Sequence, residues 1–187
     1  MKLYVIRHGE SRSNLNKTWT GWQDVPLTEK GREEARQVGK LLADISFDKV
    51  YASDLTRAQD TAREALPGQQ IQTTRLLREV DVGNLAGRPF FCLTPEQSAQ
   101  VSREGYGAFE GESREAFYGR IREFLTAVEN SGLEHVAAFS HGGWLKGALN
   151  TVLETTLPGK HLRCGNCTLG IFEYSGGIWA LHSWINL

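Results

Sequence analysis

Four apolar residues, Leu3-Tyr4-Val5-Ile6, run unbroken between Lys2 and Arg7, the pattern of a short strand buried on both faces. Lys49-Val50-Tyr51-Ala52 and His135-Val136-Ala137-Ala138-Phe139-Ser140 repeat it. Between these runs the apolar period lengthens to that of a helix. After Thr28, an expected N-cap, come Ala35, Val38, Leu41, Leu42 and Ile45; behind Ser53, also an expected N-cap, come Leu55, Ala58 and Ala62. Phe117, Ile121, Phe124, Leu125 and Val128 predict an amphipathic helix from Ser113 to Asn130, and Gly142 opens another. Residues 70–74 suit a short strand, while 168–174 and 178–184 around Ser175-Gly176-Gly177 suit a hairpin. From Gly83 to Gly111 the period is lost, apart from one short helix expected after Thr94, and 84–112 is expected to be a lid-like insertion.

Strands alternating with helices predict an α/β fold, a three-layer sandwich whose mostly parallel central sheet is flanked by helices. Neither a repeat nor a linker interrupts residues 1–187, so a single domain is expected. Ligands of such sheets sit beyond the carboxyl ends of the strands. The residues found there are Arg7-His8-Gly9-Glu10, Ser53-Asp54 with Arg57 one turn on, and Ser140-His141-Gly142-Gly143. Two histidines and two arginines are therefore expected to converge on one crevice.

Composition narrows the setting. With 21 Lys and Arg against 22 Asp and Glu the net charge is −1, which disfavours nucleic acid or an anionic membrane as partner. The first apolar stretch stops at Arg7, too soon for a signal-peptide core, and the cytoplasm is the expected compartment. Three cysteines make no disulfide framework. Cys164-Gly165-Asn166-Cys167 lacks a second ligand pair and precedes a strand, so reduced cysteines are expected there.

In the crevice, guanidinium forks match phosphate oxygens, an imidazole can attack phosphorus, and the amides after Gly142 favour an anion. That inventory suits phosphoryl transfer through histidine without a metal or cofactor. Each residue alone also has a structural reading: His8 as an exposed strand-end residue, Arg57 as a surface helix residue, 140–143 as a tight turn, and Glu10 as a cap or arginine partner. His135, His161 and His182 read as structural.

The motifs resemble those of the histidine phosphatase superfamily, in its phosphoglycerate mutase-like branch. The resemblance runs through Arg7-His8-Gly9-Glu10-Ser11 with Asn14, Gly21-Trp22-Gln23-Asp24, Leu27-Thr28 with Gly31, and Ser53-Asp54-Leu55 with Arg57-Ala58. It continues at Leu77-Arg78-Glu79, Gly111-Glu112-Ser113, Ser140-His141-Gly142-Gly143 and Asn166-Cys167-Thr168. It implies that His8 is the nucleophile and that Arg7, Arg57 and His141 form the phosphate pocket. Asn14, Thr20, Gly21 and Gly142 would assist there, and Glu79 would be the acid that protonates the leaving alkoxide. A small-molecule phosphate ester is the implied partner, on a monomer or homodimer.

The glycolytic mutases of that branch carry a tyrosine where Val82 stands here, together with a paired-arginine stretch. Residues 84–112 hold only Arg88 and Arg103 as strong cations, with Phe90, Phe91, Tyr106 and Phe109 as aromatic lid candidates. Hydrolysis of a phosphomonoester is the expected activity; the alternatives are a mutase-type phosphotransferase and a silent phosphate-ligand binder. Many members also place an acid at the position of Ala86, and its absence questions how Glu79 is oriented.

Overall fold

The computed structural model describes residues 1–157 and 161–187. In chain order the elements are β1 (Lys2–Arg7), α1 (Arg12–Asn16), α2 (Glu29–Leu42), β2 (Lys49–Ser53), α3 (Thr56–Ala65), β3 (Ile71–Thr74), α4 (Pro95–Glu104), α5 (Arg114–Glu129), β4 (His135–Ser140), α6 (Gly142–Val152), β5 (Leu169–Ser175) and β6 (Ile178–Ile185). The six strands form one sheet in the order β3-β2-β4-β1-β5-β6. The first four in that order run parallel, and β5 and β6 join the edge antiparallel, so the chain has the expected α/β fold.

Strand β1 is apolar throughout because helices cover both of its faces. Leu3 and Val5 pack with Phe117, Ile121, Trp144 and Leu145 of α5 and α6. Tyr4 and Ile6 pack with Val38, Leu42 and Ala62 of α2 and α3. The hairpin turns at Gly176 and Gly177, both with positive φ, the conformation of a tight turn matched to strand twist. Thr28, Thr94 and Ser113 accept first-turn amides as N-caps of α2, α4 and α5.

Two local expectations are corrected. Ser53 ends β2 and does not cap the next helix; the cap residue of α3 is Leu55. Asp24 from a distant loop supplies the missing acceptor, taking the Thr56 amide at 2.8 Å. In α2, Leu41 faces solvent and the helix stops before Ile45. Helix α1, which has too few residues to show a period, was invisible in the apolar pattern. His135 sits 3.5 Å from the Tyr4 hydroxyl, in keeping with a structural role. Among the described residues, no helix is long and apolar enough to cross a membrane.

Candidate active site

Parallel register brings the two histidines together. Arg7 at the end of β1 pairs with Ser140 at the end of β4, so the residues that follow, His8 and His141, emerge side by side. The His8 amide donates to the Ser140 carbonyl at 2.9 Å, and the two rings meet edge to face with centroids 5.2 Å apart. His8 Nδ1 lies 2.7 Å from the Gly9 carbonyl. A carbonyl only accepts, so Nδ1 carries the proton and Nε2 of the neutral ring keeps its lone pair.

Arg57, almost completely buried in the first turn of α3, is held at all three edges. Its Nε donates to His8 Nε2 at 3.3 Å, Nη2 to the Gly21 carbonyl at 2.8 Å, and Nη1 to the Gln23 carbonyl at 2.9 Å. Burial pushes its pKa down to about 10, which still leaves it charged near neutrality. Arg7 donates Nη1 to the Cys164 carbonyl. Its Nε and both ring nitrogens of His141 are buried without a hydrogen-bond partner among the described residues. Buried polar atoms left unpaired are uncommon in folded proteins, and the unpaired Arg7 N–H beside the N–H of the His141 ring marks this crevice as a place for an anion.

Glu79 follows the 3-10 turn Arg75–Leu77 and is held by backbone amides. Its Oε2 accepts from Gly143 N and its Oε1 from Val80 N, each at 2.9 Å. The main-chain carbonyl of Glu79 accepts from Trp22 Nε1 at 2.7 Å and Arg120 Nη2 at 3.3 Å. Glu112 fixes Arg120 through two short bonds, of 2.7 and 2.8 Å. An acid at position 86 is therefore not needed to orient Glu79, because the first turn of α6 does so. A Cβ at Gly143 would overlap Glu79 Oε1. Gly143→Ala is expected to leave the fold intact and lower kcat roughly tenfold to a hundredfold by displacing the carboxyl group; steady-state kinetics beside a thermal melt check this, and an unchanged kcat refutes it.

These groups surround a cavity of about 250 Å³. Of the residues expected at the site, Arg7, His8, Asn14, Thr20, Gly21, Arg57, Glu79 and Gly142 all line it. His141 lies fully buried against His8. Asn14 Oδ1 is used within the chain, by the amide and hydroxyl of Ser11, which leaves its NH₂ for an occupant. Glu10 does not join the site: it accepts from Thr28 and Lys30, not from an arginine.

The cavity also holds Trp19, Val80 and Lys146, which sequence reasoning missed. Lys146 was findable, because it follows Gly142 by four residues and so shares its helix face. Trp19 gave no local signal; its amide donates to the Arg88 carbonyl, a contact that only folding creates. Phe90 and Tyr106 meet Trp19 edge to face at 5.3 and 5.8 Å, forming an aromatic wall. Phe91, 85% exposed, is not part of it.

Burial above all, then the positive charge of Arg57 and Arg7 and, for His141, the neighbouring His8, holds the His8 and His141 pKa values well below the usual 6.5. The unfolded chain thus binds protons near pH 6 that the folded chain refuses. Stability from this source is complete above about pH 6.5 and falls with pH toward the depressed folded values, by at most about 1.4 kcal/mol per pH unit for each ring. Urea midpoints measured between pH 7.5 and 5.5 should fall accordingly; a flat series refutes the burial of two neutral rings.

The chain matches the family model of the histidine phosphatase superfamily (branch 1) over residues 3–187. It is 31% identical over 196 residues to "Probable phosphoglycerate mutase GpmB" of Yersinia pestis, a match spanning 99% of this chain and 90% of that protein. The solved phosphoserine phosphatase of Entamoeba histolytica in complex with 3-phosphoglyceric acid superposes with a TM-score of 0.85 at 26% identity, over 100% of this chain and 97% of that one. A phosphoglycerate mutase from Thermus thermophilus gives 0.77 at 28% identity, over 100% and 99%.

Proposed function

The chain belongs to the histidine phosphatase superfamily, and from that premise we propose that it is a metal-independent phosphomonoesterase working through a phosphohistidine on His8. The observation that carries this reading is the state of the His8 ring: neutral, its Nδ1 proton committed to Gly9, its Nε2 lone pair on the wall of a cavity lined by Arg7 and Arg57.

In the first step the Nε2 lone pair attacks phosphorus. The P–O ester bond breaks, its electrons stay on the ester oxygen, and that oxygen takes the proton of the Glu79 carboxylic acid. In the second step the Glu79 carboxylate removes a proton from water as the water oxygen attacks phosphorus. The P–N bond breaks, its electrons return to Nε2, and phosphate leaves. Arg7 and Arg57 neutralise the charge on the transferring group, and the neutral His141 ring offers it an N–H hydrogen bond. The guanidinium pair thus supplies the positive charge that a cation provides elsewhere.

Hydrolysis of p-nitrophenyl phosphate in excess chelator, with an acid-labile and base-stable phosphoprotein trapped by rapid quench, tests this. Loss of activity on chelation would sink it. Lys146 on the cavity wall favours one second reading, a mutase that retains a phosphorylated acid. Conversion of 3-phosphoglycerate to its 2-isomer faster than release of phosphate would establish that reading.

A further inference from the structure

Beside the catalytic cavity, between α4, α5 and α6, lies a groove of about 580 Å³, and Val80, Tyr106, Gly143 and Lys146 line both spaces. We propose that this groove receives the alcohol portion of the substrate, and that the substrate is a phosphomonoester of a ring-bearing alcohol larger than a three-carbon acid. The inference rests on the reading of His8 as nucleophile and Glu79 as proton donor.

Direction comes first. A group displaced in line must leave phosphorus on the side opposite His8 Nε2, at the oxygen that Glu79 protonates. The Glu79 carboxyl is bonded to the Gly143 amide, and Gly143 lines both spaces. The leaving alcohol therefore points over Gly143 and into the groove.

Size comes next. The inner cavity, at about 250 Å³, suits a phosphoryl group and its first substituents. The groove falls within the roughly 300–1,000 Å³ of pockets that enclose drug-sized ligands. A three-carbon acid would leave most of it to water.

Chemistry agrees with size. Tyr106, Phe117, Tyr118 and Val101 present aromatic and apolar surface along the groove, the lining on which a ring stacks. Beyond Lys146, which lines both spaces, the further cations Arg103 and Arg114 line the groove and not the inner cavity. Arg114 is set in place, over the Tyr118 ring at 4.7 Å with Nη1 donating to the Ser102 carbonyl at 3.2 Å.

Naphthyl phosphate and glycerol phosphate are suitable probes. Calorimetry on the His8→Ala protein isolates binding from turnover and from leaving-group reactivity, and kcat/KM on the unaltered protein measures use. Naphthyl phosphate is expected to bind at least about tenfold more tightly. Ser102 is an exposed α4 residue on the groove, so Ser102→Trp should seat an indole there and cut the preference to below about threefold, while Ser102→Ala keeps it. Equal affinities, or a preference indifferent to the indole, overturn the proposal. If the binding preference holds but neither ester is hydrolysed, the groove assignment stands and the phosphohistidine reading falls. Hydrolysis through His8 without any preference gives the reverse.

Discussion

His8→Ala is expected to lower kcat for any phosphomonoester by about ten-thousandfold or more, and to abolish the acid-labile phosphoprotein. No neighbour can take over. His141 is fully buried, and its ring is set by the end of β4, not by a carbonyl partner equivalent to Gly9. Water attacking directly would lose both the positioned nucleophile and the division of one displacement into two. Phosphate binding should survive, because Arg7, Arg57 and His141 remain, and the departure of His8 releases Arg57 Nε from its 3.3 Å contact. The pattern to look for is therefore a collapsed kcat with a retained, or tighter, affinity for inorganic phosphate. A variant that keeps activity within tenfold would show that His8 only lines the pocket.

Glu79→Gln should cost about a hundredfold to ten-thousandfold in kcat on alkyl esters, the usual range for a lost acid–base group. The loss should be much smaller for the first step with p-nitrophenyl phosphate, whose leaving oxygen needs no proton. Dephosphorylation still requires a base, so that substrate should give a burst of nitrophenol followed by a slow steady rate. Glutamine is also an imperfect fit. Both Glu79 oxygens accept backbone N–H groups, from Gly143 and Val80, so either amide orientation sets an NH₂ against a donor. A purely positional defect would slow both substrates alike and show no burst, which is the outcome that would remove Glu79 from the proton-transfer role.

Much of this site was legible in the chain. The apolar runs mark where the strands end, and the rule that ligands gather at the carboxyl edge singles out His8, Arg57 and His141 from the sequence alone. Those signals are local: a strand buried on both faces must be apolar along its length, as Leu3 to Ile6 are. The aromatic lid was half legible. Phe90 and Tyr106 reach the cavity, but Phe91 does not and Trp19 does, because composition carries no information on which way a loop residue turns.

What the sequence determined by itself was the set of strand ends and the residue types placed just beyond them, since periodicity and turn chemistry act over a few neighbouring residues. The tertiary structure decided how those groups are held. Arg57 spends two of its donor edges on carbonyls more than thirty positions away, at Gly21 and Gln23. Glu79 is aimed by an amide of α6, 64 positions along the chain. Asp24 caps a helix that Ser53 was expected to cap. Each of these bonds satisfies a buried polar group with whatever partner packing delivers, and packing is a property of the whole fold that no local stretch of sequence contains.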